Sequence, residues 1–297
     1  MKESKVLLVG DNPFQGVSHL SQERAMARGN EISNPEYAAE LVRISLENGA
    51  DGFMLSVSEM TLSILRKLPE RGDNLKLYAI VPAAYEFVRL ASQLGTLGLI
   101  GHLAREIVIS RNLKAVINGI KGVIRQDPEI LLRAYLLYEI SRVKRAGGKA
   151  NLYSLMLHEI VTDMALALNF DWLFRSYVDF LLKLKIKPGF ETRNFAYLTA
   201  KFKEWGLELS KIAIAAPFNK ISFQMSPSRE GCEEALTGTP ETEVIAINVL
   251  ASGYLKPSEA IEYIRSLSQL KGIAIGVSKE KHAYDFKLFR EALETRS

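Results

Sequence analysis

Short, nearly unbroken apolar runs recur along the chain at Lys5–Val9, Gly52–Val57, Lys76–Val81, Ala150–Leu157, Lys187–Arg193, Lys211–Phe218, Glu243–Val249 and Gly272–Val277. Most do not alternate with polar residues. Strands covered on both faces read this way, and such strands are typically parallel. Between the runs the apolar spacing lengthens to that of helices. Pro35–Asn48 places Pro in its first turn, sets Leu41, Val42, Ile44 and Leu46 on a helical period and ends at Gly49. Ser58–Leu68, Pro128–Ala146, Phe195–Trp205, Pro257–Leu267 and Lys279–Leu293 follow the same logic, and Gly206 stands where a helix C-cap falls. Eight strands alternating with helices predict an α/β fold, a closed (β/α)8 barrel spanning residues 1–297 as one domain. A doubly wound open sheet is the competing arrangement. It carries a glycine fingerprint after its first strand, and Gly10-Asp11-Asn12-Pro13 lacks one.

The alternation is interrupted once. Residues 82–149 separate the third strand from the fourth, far more than one crossover helix needs. This predicts a helical insertion over residues 83–148, punctuated by Gly95, Gly98, Gly101, Gly119 and Gly122, acting as a lid or an oligomer contact at the catalytic rim. Its charge is uneven. Arg105, Arg111, Lys114, Lys121 and Arg125 stand against Glu106 alone, a local +4 that equals the +4 of the whole chain. The overall balance, 38 basic against 34 acidic side chains, is too even to argue for nucleic acid. A single cysteine, Cys232, rules out an intrachain disulfide and fits a reducing compartment. No apolar run approaches the length of a membrane span, and the run at Val6–Val9 is too short for a signal-peptide core. The expectation is a cytoplasmic protein with a small-molecule ligand, no membrane partner, and homo-oligomer contacts through the insertion.

In a parallel barrel, chemistry collects at the C-terminal ends of the strands. The first strand leads into Asp11 and Asn12, with His19 further out; Asp11 there suits a base, a metal ligand or a turn-capping residue. The fourth ends at His158, which suits proton transfer or donation to a developing oxyanion. The fifth ends with Glu191, Arg193 and Asn194. Glu191 either pairs with Arg193 or, left unpaired near His158, serves as a general base. Asn219 follows the sixth strand, and Asn248 and Gly253 follow the seventh. After the eighth, Gly276, Ser278, Lys279 and Lys281 sit where a helix N-terminus and two lysines would receive a phosphate. A plain Ser N-cap is the simpler alternative.

The second half of the chain resembles the aldo/keto reductase superfamily. Asn151-Leu152-Tyr153-Ser154-Leu155-Met156-Leu157-His158 is similar to that family's fourth-strand Asp-Leu-x-x-x-x-x-His. Gly189-Phe190-Glu191-Thr192-Arg193-Asn194 resembles its Gly-x-Ser-x-x-Asn, and Ala216-Pro217-Phe218-Asn219 its Pro-Tyr-Asn. Val249-Leu250-Ala251-Ser252-Gly253 resembles Pro-Leu-Ala-x-Gly, and Gly276-Val277-Ser278 with His282 resembles the cofactor-phosphate loop Gly-x-Ser-x-x-x-His/Arg. The resemblance implies the barrel and a nicotinamide cofactor, NAD(P). The first half departs from the pattern. Leu55-Ser56-Val57-Ser58-Glu59-Met60-Thr61 offers neither the Asp nor the Tyr expected after the second strand, and Leu77–Pro82 lacks the third-strand Lys. Of the family's catalytic set, His158 alone is matched. The opening Asp11-Asn12-Pro13-Phe14 with His19 also resembles a group of microbial barrel proteins of unassigned activity.

These readings lead to an enzyme with acid–base chemistry on a small polar or phosphorylated metabolite. Asp11, His158 and Glu191 would move protons. Asn12, His19, Arg193, Asn194, Asn219 and Asn248 would orient the ligand, and Gly253, Gly276, Ser278, Lys279 and Lys281 would hold an anion. Three alternatives stand beside it. One is an NAD(P)-linked oxidoreductase whose proton donor has moved to His158 or Asp11. Another is a divalent-metal site from Asp11, His158, Glu191 and His19, of the mixed carboxylate and imidazole kind that suits Zn, Mn or Fe. The last is a non-enzymatic protein that binds through its basic insertion.

Overall fold

The computed structural model describes residues 5–15, 34–68, 75–83 and 127–294. Within them the eight apolar runs become eight strands: β1 Val6–Gly10, β2 Gly52–Ser56, β3 Lys76–Val81, β4 Asn151–Leu157, β5 Lys187–Glu191, β6 Ala213–Pro217, β7 Glu243–Ile247 and β8 Gly272–Gly276. Each strand pairs in parallel with the next, and β1 pairs with β8, which closes the barrel and removes the open-sheet alternative. The helices among the described residues are α1 Pro35–Glu47, α2 Glu59–Lys67, α3 Pro128–Gly147, α4 Glu159–Ala167, α5 Asp171–Lys183, α6 Phe195–Glu204, α7 Arg229–Thr237, α8 Pro257–Ser266 and α9 Glu280–Glu294. None of them is long and apolar enough to cross a membrane. Of the expected insertion, α3 forms as the sequence predicts. Residues 84–126, and with them the lid, the basic face and the oligomer contact, lie outside the described residues.

Local chemistry sets the helix starts. Asn34 accepts the Glu36 N–H at 2.9 Å, Asp127 accepts that of Glu129 at 2.9 Å, and Ser58 forms a reciprocal cap with Thr61. Gly206, at φ +68°, takes the left-handed turn after α6 that its position suggests.

The strands separate two apolar layers. Alternate strand residues such as Leu7, Val9, Leu55, Leu157, Phe190 and Ile273 pack outward against the helices. The opposite set, among them Leu8, Met54, Ile80, Met156, Ala215 and Ile245, forms a separate cluster of strand residues that fills the lumen. At the N-terminal end of the lumen, Glu243 receives the Tyr78 hydroxyl at 2.8 Å, the Tyr153 hydroxyl at 2.7 Å and Lys187 Nζ at 2.6 Å. Lys76 lies over the Tyr153 ring at 5.5 Å. Residues from β3, β4, β5 and β7 thus close this end with a satisfied polar cluster. The seam beside it is pinned by Asp51, which accepts the Leu7 N–H at 2.8 Å and pairs with Arg290 of α9 at 2.6 Å.

Gly52 and Gly189, like Gly272, are fixed by packing. A Cβ on Gly52 would stand 2.2 Å from the Lys76 carbonyl oxygen, a backbone atom held in the ladder. A Cβ on Gly189 would stand 2.6 Å from Met156 Cγ and 2.7 Å from Ser154 Oγ, both side-chain atoms. Gly52→Ala is therefore expected to destabilise the barrel by about 3 kcal/mol or more, and Gly189→Ala by roughly 1–3 kcal/mol because Met156 adapts. Urea midpoints of the two variants check the ranking, and a Gly189→Ala loss equal to or above that of Gly52→Ala contradicts it.

Candidate active site

Asp11 follows β1 at the C-terminal mouth and is 3% exposed. Its Oδ2 accepts the Ser56 N–H from the end of β2 at 2.8 Å and Gln15 Nε2 at 3.3 Å; the same Gln15 nitrogen donates to Ser58 Oγ at 2.7 Å. Burial outweighs these hydrogen bonds and pushes the Asp11 carboxyl up to about 6.

Glu191 ends β5 and is 9% exposed. Among the described residues its one hydrogen bond comes from the Glu159 N–H, to Oε2 at 3.4 Å. Burial first, and then the neighbouring Glu159 carboxylate, raise Glu191 to about 8. Arg193 opposes the rise and Asp11 adds to it, so the two buried carboxyls act on one another electrostatically from opposite sides of the mouth. The pairing of Leu157 with Phe190 sets His158 level with Glu191. His158 is half-buried, and its Nδ1 accepts the Ile160 N–H at 3.2 Å, capping α4. That bond leaves Nε2 to carry the ring hydrogen. Burial lowers its proton affinity, with Arg193 acting in the same direction and Glu159 against it, so the ring is a neutral donor at pH 7.

The other expected residues divide. Arg193 does not pair with Glu191. Its guanidinium grips Glu159 at the start of α4 and donates to Gln224 Oε1. Gln224 Oε1 also accepts Asn248 Nδ2 at 2.6 Å. Asn194 Nδ2 donates to Asp163 of α4 at 3.0 Å. Asn219 is fully buried, and its amide closes on the Phe223 backbone, accepting its N–H at 2.7 Å and donating to its carbonyl at 2.9 Å. Asn194 thus ties the loop after β5 to α4, and Asn219 closes the loop after β6. Asn12 is exposed beside Asp11, and His19 lies outside the described residues.

The loop after β8 departs from a phosphate cradle. Gly276 is approached by Pro13, whose ring atoms would lie 3.1 and 3.2 Å from a Cβ there, so the space a ligand would enter is bordered by the chain itself. Ser278 Oγ lies 3.1 Å from His282 Nδ1, while Lys279 and Lys281 are exposed. Gly253, at φ +93°, turns the loop after β7. These residues fit a dinucleotide phosphate poorly. Among the described residues no group of three or more His, Cys, Asp or Glu side chains is arranged to hold a metal ion. A phenol, lysine and carboxylate do meet in this barrel, as Tyr78, Lys187 and Glu243, but at the opposite end from the mouth.

Sequence reasoning missed Gln15, Ser56, Glu159, Asp163 and Gln224. Glu159 and Asp163 had one available signal: an i,i+4 acidic pair directly after a strand-end His shares one helix face. No signal local to Gln224 ties it to Arg193 and Asn248.

Both site acids have folded-state proton affinities above their unfolded ones, so the folded protein binds more protons than the unfolded chain, and its stability falls as pH rises. For Glu191 the loss begins near the unfolded value of 4.5 and is complete near 8. Glu191→Gln should leave the melting temperature nearly unchanged at pH 4 and raise stability by on the order of 1–3 kcal/mol at pH 8.5. Melting curves of parent and variant at both pH values check this; equal stability at pH 8.5 contradicts the burial argument.

No family model matches the chain, and no curated protein does. Solved structures do. A protein described as a "putative aldo-keto reductase" from Pseudomonas aeruginosa matches with a TM-score of 0.58 at 10% identity, over 98% of this chain and 91% of that one. A holo-form aldo-keto reductase from Bacillus halodurans gives 0.56 at 9% identity, over 99% and 88%. An aldo-keto reductase enzyme from a deep-sea metagenome library of the Medee basin gives 0.51 at 10%, over 98% and 92%. At these identities the likeness is one of architecture: the chain folds as a (β/α)8 barrel similar to those of aldo-keto reductases.

Proposed function

We propose that this protein is an enzyme that moves protons on a small polar metabolite bound in the C-terminal mouth of the barrel. Glu191 is the acid and Asp11 the base. The observation that carries the reading is the pair of buried carboxyls with proton affinities set apart, Asp11 about 6 and Glu191 about 8. Between those values Asp11 is a carboxylate and Glu191 keeps its proton. A carbonyl compound placed between them would lose a proton from the carbon beside its carbonyl to Asp11, while Glu191 protonates the carbonyl oxygen. The neutral His158 donates to the same oxygen through Nε2. The product is an enol, the shared first intermediate of isomerisation and elimination. Exchange with water resets the two acids.

The fold likeness to aldo-keto reductases favours a second reading, a nicotinamide-linked oxidoreductase with a shifted proton donor. Fluorescence titration with NADPH separates the two, since the acid–base reading requires no cofactor.

The expected activity is hydrogen–deuterium exchange beside the carbonyl of small hydroxy-aldehydes and hydroxy-ketones, followed by proton NMR in deuterium oxide. Its rate should rise as Asp11 ionises through about pH 6 and fall as Glu191 ionises through about pH 8. Asp11→Asn and Glu191→Gln should each lower kcat/KM by about a hundredfold or more. Exchange that survives both substitutions, or NADPH-dependent reduction without any exchange, would sink the reading.

A further inference from the structure

Arg193 lies two residues past Glu191, yet its ion pair is with a different carboxylate. It grips Glu159, the first residue of α4, whose own N–H is the hydrogen bond on Glu191 Oε2. One turn along α4, Asp163 accepts from Thr192 Oγ1 at 2.5 Å, the Arg193 N–H at 3.0 Å and Asn194 Nδ2 at 3.0 Å. Two acids spaced i,i+4 thus staple the inner face of α4 to the loop that follows Glu191. The other arm of Arg193 reaches Gln224, which accepts from Asn248. Elements after β4, β5, β6 and β7 are linked through this one guanidinium, at four consecutive strand ends beside the buried acid.

We propose that Arg193 is a positioning residue for Glu191: it neutralises Glu159 and holds the first turn of α4 against the Glu191 carboxyl, and so sets the pH range in which Glu191 keeps its proton. The inference rests on the reading of Glu191 as the acid of the site. The charged and titratable groups acting on Glu191 among the described residues are Glu159 from α4, Arg193 from its own loop and Asp11 from across the mouth, with His158 level beside it. Glu159 and Arg193 act in opposite directions, and their ion pair keeps the two effects together. Without Arg193, Glu159 carries an uncompensated negative charge on the residue whose backbone N–H bonds Glu191, and the proton is held more tightly. Without the Glu159 charge, Arg193 favours the ionised form and the proton leaves more easily.

The test is a direct titration of Glu191 in the full-length protein, without any substrate. Infrared difference spectra against pH report the protonated carboxyl, and the band lost in Glu191→Gln assigns it. Arg193→Gln should move the Glu191 midpoint upward by about one pH unit or more, and Glu159→Gln should move it downward. Arg193→Lys, which keeps the charge, should leave it close to the parent. Melting temperatures report whether each variant folds, and Glu159→Gln alone decides the matter if Arg193→Gln does not fold. A midpoint unmoved or lowered by Arg193→Gln, or unmoved or raised by Glu159→Gln, overturns the inference. A parent midpoint in the ordinary carboxylate range overturns the acid reading of the site instead; the Arg193 inference is judged on the difference between parent and variants in either case.

Discussion

The interior of an eight-stranded barrel is only wide enough for side chains, so inward-pointing polar groups must gather at its two ends or go without partners. This chain does both things with the same residue type. At the N-terminal end Glu243 lies under two phenols and a lysine, each within 2.8 Å of its carboxylate. At the C-terminal end Glu191 has one backbone N–H at 3.4 Å and a second acid, Asp11, on the far side of the mouth. Between them Met156, Ile80 and Ile245 keep the lumen apolar. The two ends differ in how completely each carboxyl is satisfied, with three donors on Glu243 and one on Glu191.

That contrast explains which parts were legible in the sequence. The barrel was, because strands covered on both faces need unbroken apolar runs, and each of the eight runs became a strand within a residue or two. Helix α4 was not. Ile160 and Met164 on the helix and Leu168 at its C-cap are 48%, 60% and 58% exposed, so its apolar residues do not mark a single buried stripe and the helical period is blurred. Missing α4 hid the local role of His158, whose ring caps that helix, and left Glu159 and Asp163 unnoticed.

The strand-end rule treats Asp11, Glu191, Asn194 and Asn219 alike, although the two asparagines bond to Asp163 and to the Phe223 backbone. A loop leaving a barrel strand needs its own backbone groups satisfied, and Asn serves that need as well as it serves a ligand. The resemblance at Gly276-Val277-Ser278 shows the same limit from the other side. The motif is local, whereas the Pro13 ring that borders Gly276 comes from the loop after β1, brought there by the closing of β1 on β8. The surroundings of this motif are therefore set by the closure of the barrel, which no local pattern of residues encodes.

A carboxyl buried with so few donors is a thermodynamic burden, and the surroundings of Glu191 show how the fold carries it. The ion pair of Glu159 with Arg193, the three donors on Asp163 and the bond from Asn248 to Gln224 all lie within one loop system around the acid, and none of them is made to Glu191 itself. Had stability been the only demand, Arg193 could have turned to Glu191 and removed the burden, or an apolar residue could have stood in its place. Instead the nearest cation is held by a different carboxylate. The cost of burying this carboxyl is thus offset by rigid bonding around it and not by a direct ion pair to it.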